Sequence, residues 1–246
     1  MNSFAGKYVS LLGASTSTYD GYSNNELYNT TLTKNEPYYP QPDWLNTLSD
    51  TWWMRTIHDL DMQLCVNNSW GGACVTTTVD DDEKAGCMKR ATELHNDTLG
   101  IEPDIIILII GGNDALRGYE IGTYHSVSDI YDIDKQTYIG DCKMFGQAYA
   151  TMVHKVKNRY PNADIYVCSM LHWEVKEYNR GLLEYNDMVQ KIAEEFQVVY
   201  VDFYNHTKIS PETASIYLHT DGVHPNKYGF EEMSNCIESA LKSKYD

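Results

Sequence analysis

Residues 103–112 read PDIIILIIGG. From Ile105 to Ile110 the run is wholly apolar and almost wholly β-branched, with Pro103 and Asp104 before it and Gly111 and Gly112 after it. That length suits a strand and is too short for an ordinary helix. No polar residue alternates with the apolar ones, so both faces of the strand need cover. Such a strand belongs inside a parallel sheet packed between helices, not in a half-solvated antiparallel sheet.

The rest of the chain supplies the partners this strand requires. Tyr8–Leu12, Leu64–Asn67, ADIYVCSML (163–171) and VVYVDF (198–203) have the same strand character. Between them, helices are expected from about Asp43 to Asp61, over Asp82–Leu99, Phe145–Arg159, Arg180–Phe196 and Pro225–Lys242. Five strands alternating with helices predict an α/β fold of three layers, a flavodoxin-like α/β/α sandwich on a parallel sheet. No repeat or low-complexity linker divides it, so residues 1–246 read as one domain. Two long stretches lack periodicity, about Asp20–Gln41 and Ala115–Asp141. Both are rich in tyrosine, and loops of that length are usually functional.

Composition excludes several classes. The net charge is −16, from 19 basic and 35 acidic residues, which speaks against nucleic acid or an anionic membrane as partner. The run Asp80-Asp81-Asp82-Glu83 reads as solvated acid at a helix start rather than as a metal site. The six cysteines form no C-x-x-C pair, so neither a zinc knuckle nor a redox motif is visible, and all six read as reduced thiols; no cofactor is expected. The first residues show no secretory leader and no segment has membrane-spanning length. A cytoplasmic protein is expected, secreted only if a leader has been trimmed.

In an open parallel sheet, ligands bind beyond the carboxyl ends of the strands. Four segments meet there. The first strand runs into GAS with Ser15, and the second into NNSWGGA with Gly71 and Gly72. The third runs into GGND with Asn113, and TDGVHP before the last helix carries Asp221 and His224. Singly, each is commonplace: a capping serine, a glycine turn, a polar cap. Together they form a hydrolytic set. A serine hydroxyl needs a base to take its proton, and histidine titrates near neutrality. Asp221 can orient the imidazole of His224 and stabilise its cation. An oxyanion needs donors already in place, and the Gly72 N–H, the Asn113 amide and the Ser15 N–H are the candidates.

On these blocks the sequence resembles the SGNH (Gly-Asp-Ser-Leu) hydrolases. LLGAS, VNNSWGG, IIGGND and DGVHP follow the family's four blocks in order. The resemblance continues through DTWWMRTIHDL, RYPNADIYVCSML and LEYNDMVQKIAEEFQVVYVDFY, and so covers most of the chain. It implies ester hydrolysis through an acyl-enzyme at Ser15, with no metal. One departure is Ala14, where the family usually has Asp; its loss could loosen the nucleophile turn.

Two rival readings use the same residues. A flavodoxin-like phosphate or flavin binder would explain the hydroxyls of ASTSTY, but not Asp221, His224 or Asn113. A non-catalytic carbohydrate-binding protein would explain the tyrosines Tyr119, Tyr124, Tyr131 and Tyr138. Within the hydrolase reading, the aromatic loops point to a short acyl group, acetyl above all, on a saccharide or other small ester. Tyr19 and Trp173 are then expected at the pocket, with His172 beside them. The oligomeric state is not legible.

Overall fold

The computed structural model describes residues 3–22, 38–40, 45–77 and 84–245. Three strands come first in the chain: β1 (Tyr8–Gly13), β2 (Gln63–Ser69) and β3 (Ile105–Ile109). A small antiparallel hairpin, β4 (Tyr131–Asp132) and β5 (Thr137–Tyr138), stands apart from the sheet. The last two strands are β6 (Asp164–Cys168) and β7 (Val199–Val201). The main sheet has five strands, all parallel, in the order β2-β1-β3-β6-β7. The helices are α1 (Trp52–Asp59), α2 (Gly112–Leu116), α3 (Phe145–Arg159), α4 (Lys176–Asn179), α5 (Leu182–Phe196), α6 (Phe203–His206), α7 (Ala214–Tyr217) and α8 (Lys227–Tyr245).

β3 occupies the centre, as its composition requires. Side chains alternate across a strand. Ile105 and Ile107 therefore enter one core with Trp52, Ile57, Phe230 and Ile237 of α1 and α8. Ile106 and Leu108 enter the other with Tyr149, Val153, Val189 and Ile192 of α3 and α5. The result is the three-layer sandwich expected. No helix among the described residues is long and apolar enough to cross a membrane.

Three expectations need correction. The helix expected over Asp82–Leu99 does not form among the described residues of that span; only a 3-10 turn, Lys89–Thr92, appears. Tertiary partners claim its backbone instead. The Ser10 hydroxyl donates to Leu94 O at 2.7 Å, and Asn68 Nδ2 to Glu93 O at 3.2 Å. The Tyr160 hydroxyl donates to Thr92 O at 2.8 Å and accepts from Leu94 N at 2.6 Å. A backbone satisfied by side chains from the sheet and from the end of α3 gains little by coiling. The helix expected from Asp43 is shorter, starting at Trp52 after the Thr51 cap, whose hydroxyl accepts from Met54 N at 3.2 Å. The acidic run at 80–83 and residues 23–37 and 41 of the first long loop lie outside the described residues.

The third correction concerns the loop Ala115–Asp141. Its tyrosines do not rim the strand ends. Tyr124 is buried in the α3/α5 core, and Tyr131 and Tyr138 pack on His154 far along α3. Tyr119 supplies a carbonyl to the Tyr185 hydroxyl. A tyrosine ring is a large apolar surface, and the helices take up that of Tyr124 fully and those of Tyr131 and Tyr138 in part.

Candidate active site

β1 ends at Gly13, whose lack of a side chain leaves room for the Ser69 and Ser17 hydroxyls. A Cβ on Gly13 would lie 2.8 Å from Ser69 Oγ and 3.0 Å from Ser17 Oγ. The chain then tightens into a 3-10 turn, Ser15–Ser17, held by Ser17 N donating to Ala14 O at 3.0 Å and Thr18 N to Ser15 O at 3.1 Å. The Thr18 hydroxyl also donates to Ser15 O at 2.8 Å, and Asn67 Nδ2 donates to Ser17 O at 2.9 Å. The turn is therefore fixed without an acid at position 14, and the Ala14 methyl packs against the core.

Beneath the turn lies Arg90, about 1% exposed. Its guanidinium donates to Gly13 O at 2.7 Å, Asn68 O at 2.5 Å, Lys84 O at 2.6 Å and Asn68 Oδ1 at 3.3 Å. It ties the ends of β1 and β2 to the segment that crosses them. Burial lowers its pKa to about 9, so it remains cationic at neutral pH.

Ser15 Oγ lies 2.7 Å from His224 Nε2, and His224 Nδ1 lies 2.7 Å from Asp221 Oδ2. The other carboxylate oxygen accepts from the backbone N–H groups of Val223 and His224, each at 2.9 Å. Burial opposes ionisation of Asp221. The bonds from His224, Tyr38 and the two backbone amides outweigh it and hold the carboxyl well below the usual range. An ionised Asp221 fixes the proton on Nδ1 and leaves Nε2 as the acceptor facing Ser15.

Asn113 reaches the same place from β3. Gly111 turns the chain at φ +119, and α2 follows with Asn113 in its first turn. Asn113 Nδ2 donates to Ala73 O at 2.9 Å, which leaves its second N–H available. Asp114, fully buried beside it, accepts from Val75 N at 2.9 Å, Thr76 N at 3.1 Å and the Thr76 hydroxyl at 2.8 Å. Burial raises the Asp114 pKa, and these hydrogen bonds oppose the rise. Gly72, at φ +70, precedes Ala73 and so adjoins Asn113, although it does not line the cavity.

That cavity measures about 190 Å³. Its polar lining includes Ser15, Thr16, Asn113, Ser169, Asp221 and His224, and its aliphatic lining Ile109, Ile110, Leu116, Met170, Leu171 and Val223. Trp173 lines it too, held by Asn179, which bonds both the Trp173 N–H and its carbonyl, at 3.0 and 2.8 Å. Tyr19, expected at the pocket, does not line it. Its ring is drawn into the α1/α8 core and its hydroxyl donates to Asn46 O at 3.0 Å. His172 faces away, stacked on Tyr204 with ring centroids 3.7 Å apart. Sequence reasoning missed the aliphatic wall after β6 and also missed Tyr38, whose only signal was the YYP triplet at 38–40.

The profile of the GDSL-like Lipase/Acylhydrolase family matches residues 7–241. The chain belongs to that family. Proteins similar to this chain carry varied descriptions. A multidomain esterase of Ruminococcus flavefaciens is 26% identical over 148 residues, 57% of this chain and 16% of that protein. The chain thus matches only a small part of that relative. A candidate GDSL-like lipase from Bacteroides ovatus superposes with TM-score 0.69 at 24% identity, over 97% of this chain and 99% of that one. An acetyl-xylooligosaccharide esterase from Geobacillus superposes with TM-score 0.58 at 17% identity, over 98% and 96%. At these identities the structural likenesses establish the fold.

Proposed function

We propose that the protein is a serine esterase that hydrolyses short-acyl esters, acetyl among them, carried on saccharides. The observation that carries this reading is the unbroken series Ser15 Oγ–His224 Nε2, His224 Nδ1–Asp221 Oδ2, opening on a small aliphatic cavity. In this reading His224 Nε2 takes the Ser15 proton as Oγ bonds to the ester carbonyl carbon. The carbonyl oxygen becomes an oxyanion facing the free N–H of Asn113, with the backbone amides of Ser15 and Gly72 as further donors. The intermediate collapses, the C–O bond to the alcohol breaks, and His224 returns the proton to the leaving oxygen. Water then attacks the acyl-serine with His224 again as base, releasing the acid and restoring Ser15.

The aliphatic wall suits the acyl group and the open side suits the alcohol. Support for a saccharide comes from the structural neighbour described as an acetyl-xylooligosaccharide esterase. The tyrosines of the loop 115–141 do not line the cavity. The test combines a fluorophosphonate probe with p-nitrophenyl esters of increasing acyl length and acetylated xylo-oligosaccharides. Labelling at Ser15 alone, kcat/KM falling steeply beyond butyryl, and release of acetate from the saccharide are expected. Labelling that persists in Ser15→Ala, or a profile rising to long chains, overturns the nucleophile or the acyl assignment respectively.

A further inference from the structure

Resting on the Ser15–His224–Asp221 reading, we propose that Tyr38 is a positioning residue of this site, holding the imidazole by its ring and the carboxylate by its hydroxyl. The phenol ring lies flat on the His224 imidazole, with centroids 3.7 Å apart and planes 12° from parallel. Its hydroxyl donates to Asp221 Oδ2 at 2.6 Å, the oxygen that also faces His224 Nδ1. Two stacked rings thus direct their polar atoms at one oxygen. Rotation of the imidazole out of the Ser15 line breaks the stack and the Asp221 bond together.

Tyr38 is itself anchored from both sides. Its N–H donates to the Thr18 hydroxyl oxygen at 2.8 Å, and that hydroxyl donates to Ser15 O at 2.8 Å. The next residue reaches the opposite loop, with the Tyr39 hydroxyl donating to Pro225 O at 2.7 Å. Asp20 N closes the strap on Tyr39 O at 3.1 Å. Residues 38–40 therefore join the turn bearing Ser15 to the loop bearing Asp221 and His224. Burial and the neighbouring Asp221 charge raise the Tyr38 pKa, so the phenol stays protonated and remains a donor.

This arrangement has a consequence that mere packing lacks. A carboxylate oxygen shared between two donors stabilises imidazolium less than one serving imidazole alone. Removing the phenol hydroxyl gives Asp221 back to His224 and favours the protonated base. Among the described residues, the other titratable groups around this loop include Tyr39 and His219, edge-on to Tyr38 with centroids 4.8 and 6.0 Å away, and Glu174, packed against Gly222. They are left unchanged by the substitution.

The experiment compares wild type, Tyr38→Phe and Tyr38→Leu. Tyr38→Phe keeps the stack and loses the hydroxyl. It should lower kcat by about tenfold, in the range for a partner that orients a histidine, leave KM unchanged and move the acid limb of kcat/KM to higher pH. Tyr38→Leu loses both contacts and should lower kcat by about a hundredfold. The downfield proton resonance of the Nδ1–H···Asp221 bond reads the contact without turnover and should shift in Tyr38→Phe. If Ser15 is labelled and wild type turns over, but Tyr38→Phe leaves kcat, the acid limb and the resonance unchanged, Tyr38 does not position the site. If wild type is inert towards every ester while the resonance still shifts, the hydrolase reading fails and the contact stands.

Discussion

Arg90 is a fully buried cation whose hydrogen bonds all go to carbonyl oxygens, and its replacement tests what holds the turn bearing Ser15 in place. In Arg90→Met the carbonyls of Gly13, Asn68 and Lys84 lose a charged donor. Each buried acceptor that loses such a donor costs about 1–3 kcal/mol. Gly13 O keeps the Trp70 N–H at 3.3 Å, so its loss falls at the low end. The gross loss is about 5 kcal/mol. Against it stands the relief of no longer burying a guanidinium, about 2 kcal/mol on the scale of buried-ion replacements. A net destabilisation of about 3 kcal/mol follows, a large fraction of a typical domain's stability of about 5–15 kcal/mol. Urea unfolding followed by tryptophan fluorescence should show the midpoint lowered by about 1 M or more with an unchanged slope. Because Gly13 directly precedes Ala14 and Ser15, kcat should fall as well. Arg90→Lys keeps the charge but not the planar fork and should be no more stable than Arg90→Met. An Arg90→Met variant as stable as wild type, or more so, would mean that guanidinium desolvation outweighs the three carbonyl bonds, and the reasoning fails.

Two further outcomes follow from the site and from the closing helix. The Asp221 carboxyl sits below the usual range and an acid is ionised above its pKa, so Asp221 stays charged from neutral to mildly acidic pH. kcat/KM should therefore fall on the acid side with the slope of a single proton; a two-proton slope would show Asp221 titrating in the same window. In α8, a Cβ on Gly229 would lie 2.3 Å from the backbone oxygen of Tyr217. Gly229→Ala must displace α7 or α8 and should cost about 3 kcal/mol, read as a lowered unfolding midpoint, whereas an unchanged midpoint would show that the contact yields freely.

Much of this molecule is legible along the chain because strand and helix patterning is local. Ile105–Ile110 requires cover on both faces, and the alternation around it leaves few architectures other than a parallel sheet between helices. The positions of Ser15 and Asn113 at one edge follow from that architecture, since successive parallel strands all point their carboxyl ends the same way, whereas Asp221 and His224 lie between α7 and α8, beyond the end of β7. What patterning could not reveal is which backbone groups would find side-chain partners elsewhere. Residues 84–99 have helical composition, yet Ser10, Asn68 and Tyr160 take their carbonyls and amides from distant positions. The tyrosines show the same limit. Tyr19 and the tyrosines of 115–141 are chemically equivalent to Tyr38, and only Tyr38 meets the imidazole.

The sequence by itself determined the fold class and named candidate site residues, because side-chain periodicity and strand ends are properties of short segments. Tertiary structure decided the ring over His224, the cation beneath Gly13 and the aliphatic wall beside Ser15. Each of these joins residues from separate parts of the chain, so the contact between them exists only after the layers have packed.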